Sequence, residues 1–225
     1  MSDTPKTQTQ GRIVVVISGS GSNLQAIIDG CSNGKIPGTV VGVISNNPDA
    51  FGLERATRAG IATAVLDHRQ YESREAYDRS LADLIERFSP DLILLAGFMR
   101  VLTVEFVSQF RGKLLNIHPS LLPKYKGLHT HKRVLENGDS EHGATVHYVT
   151  EELDGGPLII QGAIPVESQD DENSLAQKVQ SRIEHQIYSL ATIWCLNGRA
   201  ALTENGVELD GEPLGSSGYQ YQPGA

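Results

Sequence analysis

Short apolar runs alternating with amphipathic stretches constrain this chain more than any other feature. Residues 12–18 read RIVVVIS, an unbroken and largely β-branched run. A strand buried on both faces has that pattern, whereas a half-solvated strand alternates apolar with polar. Further strands are expected at residues 39–45, 63–66, 91–96 and 113–117. Helix signals fill the gaps, at residues 22–30, 51–59, 73–88 and 104–110. In the longest of these, Tyr77, Leu81, Leu84, Ile85 and Phe88 recur every three or four residues and make one apolar stripe. Strand and helix in strict alternation predict an α/β fold, a mostly parallel sheet with helices on both faces.

From about residue 141 the alternation changes. Residues 143–149 and 158–166 read as two strands joined by the turn EELDGGP, a hairpin-like pair, and residues 172–196 as one long helix. The polar start, residues 1–11, is expected to be a disordered lead-in. Residues 206–225, rich in Gly, Ser and Pro, are expected to form a loosely packed tail. Neither an internal repeat nor an interdomain linker is visible, so residues 12–205 are expected to be one domain. No apolar run approaches the roughly 20 residues of a membrane span, and the N-terminus lacks the apolar core of a signal peptide. Two cysteines, Cys31 and Cys195, suggest neither a disulfide framework nor a zinc site, and a reducing cytoplasm fits them. The net charge of −8, with scattered Lys and Arg, argues against a nucleic-acid partner.

Between the first strand and the first helix stands Gly19-Ser20-Gly21-Ser22-Asn23. Glycines let the backbone approach an anion, and the N–H groups of a helix N-terminus hold phosphate. The third glycine of a dinucleotide fingerprint is replaced by Leu24, and a P-loop lysine is missing, so a phosphate monoester suits better. The structural alternative is a tight turn with Ser22 as the helix cap.

The chemistry-bearing residues are Asn116, His118 and Asp154. Asn116 and His118 lie two apart at the carboxyl end of a strand, so both side chains share a face, where open α/β sheets build their sites. An amide and an imidazole can donate to an oxyanion, and the imidazole can also pass a proton. Asp154, in a Gly-rich turn, would favour the imidazolium if it folded back onto His118. Each also has a structural reading: Asn116 as a turn cap, His118 as a core histidine, Asp154-Gly155 as a hairpin turn. His129, His131, His142 and His147 have no familiar zinc spacing, so no metal is expected.

The segments SGSGSNLQAI, LAGFMRVL, LLNIHPSLLPKYKGLHTHK and ELDGGPLI closely resemble the phosphoribosylglycinamide formyltransferase family, in order and spacing, over about residues 13–198. The resemblance implies a Rossmann-like twisted sheet of the formyltransferase fold. Residues 12–110 would form the half that binds the ribonucleotide phosphate, and residues 111–205 the catalytic and folate-binding half. It implies two substrates, glycinamide ribonucleotide and the formyl donor 10-formyltetrahydrofolate. Gly21, Ser22, Asn23, Glu184 and Gln180 would bind the ribonucleotide. Arg74, Met99, Arg100, Val101, Leu102, Asn116, Thr150, Glu151, Glu152, Leu153 and Asp154 would bind the folate. Asn116, His118 and Asp154 would be catalytic. The implied partners are these small molecules, with the protein a monomer or a homodimer.

One departure stands in the late helix. KVQSRIEHQIYSL holds one residue more than the family segment between Val179 and Glu184, and an extra helical residue turns its neighbours by about 100°. Whether Gln180 or Ser181 partners Glu184 is left open by the sequence. Three other readings share part of the pattern. Methionyl-tRNA formyltransferase would bring a basic C-terminal domain, formyltetrahydrofolate hydrolase an extra N-terminal domain, and a non-catalytic folate- or nucleotide-binding module would be free to lose one of the three catalytic residues.

Overall fold

The computed structural model describes residues 10–223. The first half follows the alternation: β1 (Gly11–Ile17), α1 (Ser22–Ser32), β2 (Gly38–Ser45), α2 (Phe51–Arg58), β3 (Thr63–Val65), α3 (Arg74–Glu86), β4 (Leu92–Leu95), α4 (Val104–Gln109) and β5 (Leu114–His118). Residues 13–17 of β1 are fully buried, because helices cover the strand from both sides. Two apolar clusters result, one on each face. Ile13, Val15 and Ile17 point into one, and Val14 and Val16 into the other.

The second half supplies α5 (Thr130–Asn137), β6 (Glu141–Tyr148), β7 (Leu158–Pro165), α6 (Glu172–Val179) and α7 (His185–Leu196), then β8 (Ala200–Thr203), β9 (Gly206–Leu209), β10 (Glu212–Pro213) and β11 (Tyr219–Tyr221). One eight-stranded sheet runs β11-β7-β6-β5-β4-β1-β2-β3, and a second, three-stranded sheet is β10-β9-β8. In the large sheet β5–β6 and β6–β7 pair antiparallel, while β3–β2–β1–β4–β5 and β11–β7 pair parallel. The division expected at residue 110 falls between α4 and β5, yet β4 and β5 pair across it, so the two halves share one sheet.

Three expectations need correction. The helix expected over residues 172–196 is interrupted by a π-helical turn, Gln180–Glu184, between α6 and α7. A π turn takes an extra residue into a helix without a break, and it falls on the segment that carries one residue more. The tail is not loose: Val207 is buried in the core, and β11 pairs in parallel with β7 and closes that edge of the sheet. Of the lead-in, residues 1–9 lie outside the described residues. Gly11 already belongs to β1, its N–H bonded to the Pro37 carbonyl at 3.0 Å.

Candidate active site

The carboxyl ends of β1, β4 and β5 meet on one side of the sheet, and the loops that follow them build the site. Asn116 and His118 project from one face of β5, and across the antiparallel pair with β6 Asn116 stands opposite His147. Asp154 arrives from the turn between β6 and β7. Its φ of 47° lies in the left-handed region, which an Asp tolerates better than most residues. Two residues on, Gly156 lets the turn press against β6, since a Cβ there would collide with the Tyr148 carbonyl oxygen.

The structure brings these three together. His118 Nδ1 lies 3.5 Å from Asp154 Oδ2, and both side chains are buried. His118 Nε2 lies 2.9 Å from the Tyr125 carbonyl oxygen. Both ring nitrogens thus face oxygen acceptors. Asp154 Oδ2 also accepts the Gly127 N–H at 2.8 Å, and Lys126 Nζ pairs with Glu152 Oε1 at 2.5 Å. The loop after β5 and the 150–156 turn are therefore tied to each other directly over the imidazole.

His147, which the sequence did not connect with Asn116, is bonded to it in the structure. Its Nδ1 lies 2.9 Å from the Tyr148 carbonyl oxygen and so carries the proton. Burial, the largest influence, pushes its ionisation down and keeps the ring neutral. Nε2 is then a bare acceptor for Asn116 Nδ2 at 3.2 Å. That contact fixes the amide plane of Asn116 and leaves its second N–H to point elsewhere. No pattern in the sequence signals this, because the cross-strand register that creates it is a tertiary fact.

A cleft beside these groups is lined by Leu95, Phe98, Arg100, Val101, Leu102, Val107, Asn116, His147, Val149 and residues 150–154. Most residues expected at the folate are therefore gathered there. Arg74 and Met99 are not in its wall: Arg74 is exposed at the start of α3, 4.0 Å from Glu75, and the Met99 side chain is 68% exposed. A larger open depression of about 710 Å³ lies at the amino ends of β1 and β4, lined by Arg12, Asp91 and Leu196 among others. Asn116, His147 and Asp154 line the smaller cleft and not this depression.

On the other side of the site, α1 starts at Ser22 after Gly21, whose φ is 70°, and no side chain caps it. Ser22 is thus not the cap, and the first N–H groups of α1 have no side-chain acceptor. A Cβ on Gly21 would lie 2.7 Å from the Gly52 Cα, so the loop is pressed against the start of α2. Asn23 Nδ2 donates to Glu184 Oε2 at 2.6 Å, joining the loop to the π turn. Glu184 is buried, and desolvation raises its carboxyl above the ordinary range while the Asn23 hydrogen bond opposes this. Gln180 is half-buried at the start of the same turn; Ser181 is exposed, its hydroxyl donating to the Gln177 carbonyl at 2.7 Å. Among the described residues no three His, Cys, Asp or Glu side chains cluster as a metal site would require. His131 and His142 are bonded to each other at 2.9 Å.

At the sheet's carboxyl edge stand an amide and an imidazole that a carboxylate contacts, the donor and proton-carrying groups a group-transfer enzyme uses. The chain belongs to the formyl transferase family, whose model matches residues 11–192. Phosphoribosylglycinamide formyltransferase of Escherichia coli (strain K12) is 58% identical over 207 residues, 92% of this chain and 97% of the relative. Trifunctional purine biosynthetic protein adenosine-3 of Drosophila melanogaster is 48% identical over 199 residues, 88% of this chain and 15% of that longer protein. Among solved structures, phosphoribosylglycinamide formyltransferase from Coxiella burnetii shares the fold with a TM-score of 0.89 at 46% identity, covering 94% of this chain and 99% of that one.

Proposed function

We propose that this protein transfers the formyl group of 10-formyltetrahydrofolate to the amino group of glycinamide ribonucleotide, a step of purine biosynthesis. The observation that carries the reading is the His118–Asp154 contact next to Asn116, with Asn116 and Asp154 both lining the cleft. The ribonucleotide phosphate rests on the uncapped start of α1 through Gly21, Ser22 and Asn23, where backbone N–H groups and the helix dipole favour an anion. Glu184 and Gln180 complete that side; Ser181 is the weaker partner because its hydroxyl is bonded within the helix. The folate lies in the cleft between Arg100, Val101, Leu102 and Thr150, Glu151, Glu152, Leu153, Asp154, with Met99 and Arg74 at its rim.

The neutral glycinamide amine attacks the formyl carbon. A C–N bond forms, and the carbonyl oxygen becomes an oxyanion. Asn116 gives it the N–H that His147 does not hold, and His118 gives it a second. The C–N10 bond then breaks, and the proton lost by the amine reaches N10 through His118 or a water. Formyl transfer asks His118 Nε2 to exchange the Tyr125 carbonyl for a substrate atom. Asp154 keeps the ring oriented and balances its positive charge throughout. The products are the N2-formyl ribonucleotide and tetrahydrofolate. The free Cys31 and Cys195 fit a cytoplasmic setting, and the small-molecule substrates suit either a monomer or a homodimer.

The test is a spectrophotometric assay of purified protein with a 10-formyl folate, with and without the ribonucleotide and without added metal. Deformylated folate that forms only when the ribonucleotide is present supports the transferase. Release without the ribonucleotide identifies a hydrolase instead, and binding without release a non-catalytic module.

A further inference from the structure

Asp78 is a buried carboxylate that the proposed mechanism does not use. It lies on α3, 2% exposed, and its Oδ2 accepts the backbone N–H of Thr103 at 2.6 Å. Its Oδ1 is buried without a hydrogen-bond partner among the described residues, as are the Arg100 Nε and the Tyr77 hydroxyl close by. Burying a carboxylate is costly before any partner is found, and one backbone amide offsets little of that cost. Capping of α4 does not explain Asp78 either, because Thr103 caps that helix with its own hydroxyl, which accepts the Phe106 N–H at 3.4 Å.

What Asp78 does hold is one end of the strap at residues 99–102. At the other end the Met99 N–H donates to Ser18 Oγ at 2.9 Å. In between, the Arg100 guanidinium lies over the Tyr77 ring, 4.7 Å from its centroid. The strap is thus gripped at both ends by side-chain oxygens, and in the middle by the α3 residue next to Asp78. Arg100, Val101 and Leu102 present the strap to the cleft.

We infer that Asp78 is a positioning residue for the formyl donor: by holding the Thr103 N–H beneath Arg100, it sets the strap that forms one wall of the folate cleft. The inference rests on the cleft being the folate site. It assigns Asp78 to one substrate and not to the other, because among the described residues its hydrogen bond goes to the end of the strap and none goes to the α1 loop or the π turn.

Asp78→Ala removes the acceptor, and Asp78→Asn keeps an acceptor oxygen while removing the charge. Two readouts are needed: the KM of each substrate, and the Kd of a 10-formyl folate and of glycinamide ribonucleotide by calorimetry. For Asp78→Ala, the folate KM and Kd rise about tenfold, the loss expected of one hydrogen bond to a charged group. The ribonucleotide values stay within twofold, and kcat falls less than the folate affinity does. Asp78→Asn recovers most of the folate affinity, and amide exchange at residues 99–103 accelerates in the alanine variant alone. Equal losses for both substrates, or an asparagine variant no better than alanine, would overturn the inference. The calorimetry separates it from the reading it rests on: wild-type protein that binds the folate without turning it over sinks formyl transfer, while the strap comparison is still decided by the two Kd values.

Discussion

At the scale of single residues the site is a chain of orientation. The Tyr148 carbonyl fixes the His147 tautomer, His147 fixes the Asn116 amide, and Asp154 fixes His118. Each link is a hydrogen bond or ion pair in a buried setting, where a misplaced donor loses most of its value. Removing one oxyanion donor typically lowers turnover ~10²–10³-fold. Asn116→Ala and His118→Ala are each expected to show a kcat loss of that order with little change in ribonucleotide affinity. Asp154→Asn is expected to be comparably damaging. A kcat within about threefold of wild type for Asn116→Ala or His118→Ala would remove that residue from the mechanism. The sequence showed that Asn116 and His118 share a strand face. It was silent on the reach of Asp154 to His118, which spans 36 positions and depends on how the 150–156 turn folds, and on His147, whose role exists only once β5 and β6 are in register.

Elements show where legibility ended and why. From β1 to β5 the boundaries lie within about two residues of expectation, since continuous apolar runs and amphipathic stripes are local signals. The π turn left no such signal: its residues are good helix formers, and only the one-residue excess hinted at it. β11 was hidden because Gly, Ser and Pro flank it and three residues cannot announce a strand; its pairing with β7 creates it. The π turn matters because it places Glu184 against Asn23. Burial raises the Glu184 carboxyl, so above the ordinary carboxylate pKa the folded protein retains a proton that the unfolded chain has released. Stability from this group is then full at low pH and lost as pH rises through the raised value. Glu184→Gln abolishes that titration. Relative to wild type, the variant is expected to be progressively more stable from pH 4 to pH 7 by thermal melting, and to bind the ribonucleotide more weakly. A constant difference in Tm across that range would show that Glu184 keeps an ordinary pKa.

For the molecule as a whole, acid stability and the sheet edge are the two levers. Burial pushes four histidines down: His142 to about 4, and His131, His147 and His185 in the same direction. Asp139 and Glu172 oppose this for His142 and His131, the Tyr148 carbonyl and Asp154 oppose it for His147, Asp29 opposes it for His185, and His118 reinforces it for His131, His142 and His147. A depressed histidine leaves the unfolded chain holding more protons than the folded one below about pH 6.5. Stability is therefore expected to fall between pH 7 and pH 5, with Tm lower by several degrees, and His142→Gln should shrink that fall. The sheet edge belongs to the C-terminal segment. β11 covers the outer side of β7, Tyr221 packs on the core, and the Tyr219 ring stands edge-on to Trp194 with centroids 5.2 Å apart. Without them, β7 would present a row of unpaired N–H and C=O groups beside a bared indole, a template for association with another chain. A protein ending at residue 215 is expected to melt several degrees lower and to aggregate in proportion to its concentration. Its kcat at 20 °C should stay within twofold, because among the described residues the hydrogen bonds and ion pairs of Asn116, His118 and Asp154 all lie outside the segment. Equal Tm and equal solubility for the two lengths would mean that β7 needs no cover, and that the edge pairing adds nothing to the fold.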